Sequence, residues 1–166
     1  MKKFLIVCMI LFTAGVGCKK MDYGGGDLCA CSPIEAPGLN LVIKNSAGDD
    51  LLSEKTVGAY TKDNIQLFRK DVNGKVIPIN FSIRPPSTFG EQKFNFNFLY
   101  APELNSLQTQ TDKTVYLKLG GGEPYELLLD LSKPGEGSLF INKKAAEREK
   151  GAVSLYLPIF YLIESN

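Results

Sequence analysis

The chain contains no histidine and no tryptophan. The lack of histidine removes the imidazole general base, the serine and cysteine triads that need one, and histidine-ligated zinc. The lack of tryptophan removes the aromatic ring that binds cations best. The chain also has no large excess of positive or negative charge, since it contains 19 Lys and Arg residues and 18 Asp and Glu residues. Such a balance provides no field that would attract nucleic acid, and we expect no nucleic-acid partner.

The N-terminus is positively charged and then apolar. Met1-Lys2-Lys3 precedes an uninterrupted, mainly apolar run over residues 4–16. A helix needs about 20 apolar residues to cross a bilayer, and this run is shorter. A positive start, a short apolar run and small residues at its end are typical of a secretory signal peptide. We therefore predict a signal peptide over residues 1–17.

The end of that run, Gly15-Val16-Gly17-Cys18, resembles a lipobox, the cleavage site of bacterial lipoproteins. The usual pattern has leucine three residues before the cysteine, where this chain has Gly15. The resemblance implies cleavage before Cys18 and attachment of acyl chains such as palmitate to its sulfur and its new amino group. Several acyl chains on one residue suffice for stable anchoring. We expect a lipid-anchored cell-envelope protein at the outer membrane; ordinary cleavage that leaves Cys18 free is the alternative.

Residues 18–38 have the composition of a flexible tether behind that anchor. They contain Gly24-Gly25-Gly26 and two prolines, and glycine-rich chains are flexible whereas proline-rich chains are extended. Cys29 and Cys31 lie in this segment, and free thiols are unusual in an exported protein. Two cysteines separated by one residue are poorly placed for a disulfide with each other. Three alternatives stay open: a disulfide closed by a tight turn, a disulfide to another chain, and two free thiols. Two thiols do not supply the four ligands of a structural zinc site.

From residue 39 to residue 166 the apolar residues follow a period of two, which predicts half-buried strands. About eight short strands, separated by turn signals and without crossover helices, predict a single all-β domain. We expect an antiparallel sandwich or a Greek-key barrel, immunoglobulin-like in its architecture. After Asn142 as N-cap, residues 143–150 form at most a short surface helix, and otherwise a turn.

Two local patterns predict specific pairings. Asn73-Gly74 lies between the alternating residues 65–72 and 75–83, which predicts an antiparallel hairpin with a type I′ turn. Pro78 cannot donate a backbone hydrogen bond, so it predicts that the second strand lies at an edge or a bulge. Phe94, Phe96 and Phe98 alternate with asparagine, and we expect this strand to turn its phenylalanine face to the core rather than to a ligand.

Residues 155–163 are apolar on both faces and are interrupted by proline. We expect a strand buried in the domain, with one face in the core. That face holds Leu155, Leu157, Ile159, Tyr161 and Ile163. The alternative is a free edge that pairs with a partner chain.

No pattern indicates catalysis or a cofactor. Gly120-Gly121-Gly122 lacks the Gly-Lys-Ser/Thr ending of a phosphate-binding loop and predicts a hairpin loop. Asp49-Asp50 with Glu54, and Asp71 with Asn73, lack the spacing of a calcium loop and predict turns. Paired carboxylates can hydrolyse glycosides, but a domain of this size offers little cleft for them. We expect no enzyme, no cofactor and no metal.

A second resemblance concerns the start of the domain. Leu39-Asn40-Leu41-Val42-Ile43-Lys44-Asn45-Ser46, followed by Asp50-Leu51-Leu52 and Gly58-Ala59-Tyr60, resembles small Bacteroidota-type cell-envelope lipoproteins. It implies an exported β-rich domain behind a lipid anchor, and it implies no reaction. The sequence thus predicts a non-catalytic binding or structural role, with the membrane reached through lipid on Cys18 and with an unidentified ligand or protein partner. An assembly subunit or adhesin that pairs strands with a partner is the first alternative, and a small hydrolase is the second.

Overall fold

The computed structural model describes residues 38–89, 91–109, 113–131, 137–151 and 157–164. The predicted signal peptide, the predicted lipid site Cys18 and the thiols of Cys29 and Cys31 lie outside these ranges. Within them the chain forms thirteen strands and two 3₁₀ helices, at Lys62–Asn64 and Pro102–Thr109. No helix in these ranges is long and apolar enough to cross a membrane. The strands are β1 (Leu39–Asn45), β2 (Ile65–Lys70), β3 (Val76–Pro78), β4 (Ser82–Arg84), β5 (Ser87–Phe89), β6 (Gln92–Phe94), β7 (Phe98–Ala101), β8 (Thr114–Leu119), β9 (Tyr125–Asp130), β10 (Ser138–Ile141), β11 (Lys144–Ala145), β12 (Glu147–Arg148) and β13 (Ile159–Glu164).

The strands form two main sheets. A five-stranded sheet has the order β12-β13-β1-β7-β4, a six-stranded sheet has the order β11-β10-β9-β8-β2-β3, and β5 pairs with β6. Among these named strands every pairing is antiparallel except that of β1 with β13. The predicted all-β sandwich is confirmed, and the two sheets do not close into the alternative barrel.

The main core lies between the two sheets and is built from alternate residues of their strands. Period-two alternation places these aliphatic side chains on one face of each strand. The five-stranded sheet contributes Leu39, Leu41, Ile43, Leu99, Phe160 and Leu162, and the six-stranded sheet contributes Ile65, Leu67, Val115, Leu117, Leu127, Leu129 and Leu139. All of these side chains are buried, so the sandwich is held together mainly by apolar burial.

A second, smaller apolar cluster covers the other face of the five-stranded sheet. It consists of Val42, Phe94, Phe98, Tyr100 and Ile159, with Phe96, Leu157 and Tyr161 at its margin. The prediction that the phenylalanines are core residues is therefore confirmed for Phe94 and Phe98, whereas Phe96 is half-buried. The prediction of one continuous strand is wrong there, because β6 ends at Phe94 and β7 begins at Phe98.

The terminal strand lies inside the five-stranded sheet, between β1 and β12, as its apolar character predicted. The face that meets the main core is not the predicted one, although Ile159 on the predicted face is fully buried in the smaller cluster. Phe160 and Leu162 belong to the main core, whereas Ile163 is 58% exposed. The alternation rule failed because this strand is apolar on both faces, so the pattern alone does not identify the side that meets the other sheet. Leu155 lies outside the described residues.

The hairpin of β2 and β3 is confirmed, and β3 with Pro78 lies at a sheet edge as predicted. The predicted second strand over residues 75–83 is too long, because β3 ends at Pro78 and Ser82–Arg84 form β4 of the other sheet. The predicted type I′ turn is wrong, because Gly74 has a φ of +78° while Asn73 does not have a positive φ. The loop is closed instead by Asp71, whose backbone carbonyl accepts from the Gly74 amide at 2.9 Å. Its carboxylate also accepts from the Asn73 and Lys75 amides. A glycine in the left-handed region after a turn is the usual three-residue hairpin loop.

A two-residue hairpin turn occurs instead between β10 and β11. Asn142 and Lys143 have φ values of +48° and +67°, and Ile141 pairs with Lys144 across them. The Asn142 side-chain oxygen accepts a hydrogen bond from the Glu126 amide at 2.8 Å. The surface helix considered for residues 143–150 does not form, because these residues supply β11 and β12.

Candidate functional site

A concavity lies on the outer face of the five-stranded sheet, beside β12 and β13. In the parallel register Val42 is the neighbour of Tyr161, and Lys44 is the neighbour of Ile163. Neighbours in register share a face, so Lys44, Tyr161 and Ile163 all lie on the side away from the main core. We call this space, about 260 Å³ in volume, the β12–β13 concavity. Its lining consists of Lys44, Glu147, Arg148, Glu149, Lys150, Tyr161 and Ile163.

A tyrosine–carboxylate pair forms one wall of the concavity. The Tyr161 hydroxyl donates a hydrogen bond to Oε2 of Glu149, and the Gly151 amide donates to Oε1 at 2.9 Å. The bond from Tyr161 lowers the pKa of Glu149, burial opposes this, and the Gly151 amide and the Lys44 charge add to the lowering. Burial first, and then the bond to Glu149, raise the pKa of Tyr161 above its usual range. The hydroxyl therefore keeps its proton and the carboxylate keeps its charge.

Lys44 is held over two aromatic rings beside this pair. Its Nζ atom lies 3.7 Å from the centroid of the Phe96 ring and 4.0 Å from that of Tyr161. The two rings meet edge to face, with centroids 6.3 Å apart. Each cation–π contact contributes roughly 0.5–2 kcal/mol, depending on its exposure to water. The ammonium group is thereby fixed at the wall of the concavity.

A second tyrosine–carboxylate pair lies at the end of β13. The Tyr60 hydroxyl lies 2.7 and 2.8 Å from the two carboxylate oxygens of Glu164 and donates to that carboxylate. Burial, followed by the hydrogen bond from Tyr60 to Glu164, raises the pKa of Tyr60 to about 12. Burial and the Glu164 charge also raise the pKa of Tyr125. This pair fastens the loop before β2 to the terminal strand, and its residues do not line the concavity.

Asp50 and Asp71, two of the carboxylates considered as calcium ligands, accept hydrogen bonds from loop residues. Asp50 accepts hydrogen bonds from the backbone and side-chain nitrogens of Asn97, at 2.6 and 3.0 Å, and from the Leu52 amide at 2.9 Å. Asp71 closes the β2–β3 loop, as described above. Over the described ranges there is no cluster of three or more acidic or cysteine side chains that could hold a metal ion.

The glycine triplet lies in the loop between β8 and β9, where a hairpin loop was predicted. Gly120 has a φ of +55°, and the Gly122 amide donates to the Leu119 carbonyl at 3.1 Å. The positive φ explains why glycine is favoured at the first of the three positions.

Sequence reasoning did not identify the residues of the concavity. Two signals pointed towards them: the charged Lys44 at the end of an apolar strand, and the charge run Glu147-Arg148-Glu149-Lys150 before the last strand. Comparisons with protein-family models, curated proteins and solved structures find no match to this chain. The interpretation of the concavity therefore rests on its geometry.

Proposed function

We propose that this chain is a lipid-anchored, non-catalytic binding protein of the cell envelope. In this proposal Cys18 carries the anchor, the residues after it act as a tether, and the β12–β13 concavity is the ligand site. The observation that carries the binding role is the fixed arrangement of Tyr161, Glu149 and Lys44 on the wall of the concavity.

The protonation of this pair favours binding over catalysis. A general acid or base works best when its pKa is close to the working pH. The pKa of Glu149 is lowered and that of Tyr161 is raised, so both move away from neutrality. Each group then keeps one protonation state, with the Tyr161 proton donated to Glu149, and the pair holds the wall of the concavity in place. Fixed polar groups of this kind orient a ligand in a small site.

The anchor and the location at the outer membrane are supported by the sequence alone. A signal-like run ends at Gly15-Val16-Gly17-Cys18, and a glycine-rich stretch separates it from the sandwich. The assembly-subunit alternative has less support, because β13 has β1 along one side and β12 beside Phe160 and Tyr161 on the other. A strand that pairs with a partner chain needs a free edge.

The anchor is tested with Cys18→Ala, and Cys29→Ala serves as the matched control. We expect Cys18→Ala to block processing and lipid attachment, whereas Cys29→Ala remains in the membrane fraction with an acylated N-terminus by mass spectrometry. A mature wild-type protein that begins elsewhere with an unmodified terminus would refute the anchor. A hydrolase activity that disappears in Glu149→Gln would refute the non-catalytic role.

A further inference from the structure

The ammonium group of Lys44 has unused hydrogen-bonding capacity. It carries three N–H donors, and its contacts in the described part of the chain are the ring faces of Phe96 and Tyr161. Ring faces attract the positive charge but are not the oxygen acceptors that an ammonium group binds most strongly. A ligand oxygen in the concavity would supply such an acceptor.

The nearby carboxylate does not fill that role. The charge of Lys44 helps to lower the pKa of Glu149, but these two side chains form no ion pair or hydrogen bond with each other; the carboxylate oxygens accept from the Tyr161 hydroxyl and the Gly151 amide. Lys44 and Lys150 bring two ammonium groups to the lining, and Glu147 and Glu149 bring two carboxylates, whereas the side chain of Arg148 shares the core face with its register neighbour Phe160. An anionic group would bind here through direct contact with the ammonium groups of Lys44 and Lys150 and not through a net positive field.

Two other ligand classes fit less well. A ligand ammonium would have to displace Lys44 from both ring faces, because these faces are already occupied by a cation. A sugar ring would need an exposed aromatic face on which to stack, and Lys44 covers the face of Tyr161. An anion needs no such displacement.

The size and the wall of the concavity limit the rest of the ligand. A volume of about 260 Å³ lies below the range of roughly 300–1,000 Å³ that is typical of drug-sized ligands. Ile163, which is 58% exposed, provides an apolar wall. A short apolar group next to the anionic group would bury part of this side chain.

We infer that the β12–β13 concavity binds the oxyanion of a small ligand, a carboxylate or a phosphate, through Lys44 and Lys150, with a short apolar part against Ile163. This inference rests on the proposed binding function and names its ligand class. A soluble organic acid and the phosphate headgroup of a lipid offer the same chemistry.

The test is isothermal titration calorimetry on the full acylated chain in neutral detergent micelles. The probes are 3-methylbutanoate, inorganic phosphate and monomeric dihexanoylphosphatidylglycerol. We expect saturable binding of at least one probe, weakened by added salt. Tightest binding of 3-methylbutanoate identifies a soluble acid, and tightest binding of the phospholipid identifies a headgroup.

Variants assign the binding to the concavity. Lys44→Met keeps the length of the side chain and removes its charge, and we expect at least a tenfold loss of affinity, about 1.4 kcal/mol. Lys55→Met, at an exposed lysine outside the concavity, should bind as the wild type does. Lys44→Arg should keep binding within a few-fold. Because Lys150 is exposed, Lys150→Met should fold normally and lose a few-fold in affinity.

Three results would overturn the inference: no binding of any probe, undiminished binding by both Lys44→Met and Lys150→Met, or preferred binding of tetramethylammonium. Thermal unfolding of each variant shows whether a loss of affinity reflects a loss of folding. If Lys44→Met fails to fold, the affinity of Lys150→Met and the dependence of binding on salt test the inference in its place. The Cys18 experiment is separate, so an intact anchor with no anion binding would refute only the ligand class.

Discussion

Phe160 and Ile163, which lie on opposite faces of β13, should respond very differently to truncation of their side chains. Phe160 is 1% exposed, packs in the main core and is the register neighbour of Leu41 in β1. Phe160→Ala removes a whole ring from between the two sheets, and the sheets cannot close the gap because each is fixed by its own ladder. Phenylalanine-to-alanine changes in such cores cost about 3–5 kcal/mol.

Ile163→Ala is the matched control within the same strand. Ile163 is also a large apolar residue, but its side chain is 58% exposed on the other face. Surface substitutions of this kind change the free energy of unfolding by about 0.5 kcal/mol or less. The expected difference between the two variants is large against a total stability of about 5–15 kcal/mol.

Urea denaturation followed by circular dichroism, or by fluorescence of the seven tyrosines, measures the difference in this tryptophan-free chain. In a separate thermal unfolding experiment, we expect Phe160→Ala to lower the midpoint temperature by roughly 6–20 °C and Ile163→Ala to change it little. Equal losses in the two variants, or a larger loss for Ile163→Ala, would refute the assignment of the buried face. The latter result would instead support the face that residue alternation predicted.

Two further predictions concern the ends of the sandwich. Absorbance titration of tyrosinate should show a component near pH 12 that is lost in Tyr60→Phe; its absence in the wild type would contradict the burial of Tyr60 and its bond to Glu164. Because the folded-state pKa is raised from 10, the stabilisation by Tyr60 should be complete below about pH 10 and should decline as the pH rises through 12. Gly38→Ala should lower stability by roughly 1–3 kcal/mol in urea denaturation, since its Cβ would lie 2.7 Å from the Ala101 carbonyl oxygen. Gly121→Ala, with no atom within 4 Å of its Cβ, should be nearly neutral, and equal losses in the two variants would refute the clash.

The strands were the predictable part of this fold. Alternation over residues 65–70, 114–119 and 125–130 is a local property, because each side chain's face follows from its neighbours in the sequence. Pro78 was informative for a similar reason, since a missing N–H restricts a strand to an edge whatever the rest of the fold is. These signals needed no knowledge of the partner strand.

Turn geometry was less predictable because specific side chains decided it. Asn73-Gly74 has the composition of a type I′ turn, yet the Asp71 carboxylate binds two amides of the loop and selects a three-residue form. Asn142-Lys143 adopts positive φ at both positions although lysine is unfavourable there. The pairing of β10 with β11 and the Asn142 bond to the Glu126 amide offset that cost.

The concavity depends on a pairing that no local pattern reveals. Lys44 and Tyr161 are far apart in the sequence, and only the parallel pairing of β1 with β13 brings them to one face. A parallel pair needs a long connection and can join strands that are far apart in the sequence, so neither strand carries a local signal that identifies the other. Sequence reasoning therefore recognised the last strand as buried but had no means of placing Lys44 over its tyrosine ring.

The terminal strand is held by a tyrosine–carboxylate pair on each of its faces. On the outer face Tyr161 of β13 donates to Glu149, and on the inner face Glu164 of β13 accepts from Tyr60. Hydrogen bonds to a charged group are stronger than those between neutral groups, so both pairs resist displacement of the strand. Tyr161 also supports Lys44, so the position of the ammonium group follows from the position of the strand. The hydrogen bond between Tyr60 and Glu164 thus helps to fix the geometry of the β12–β13 concavity, although neither residue lines it.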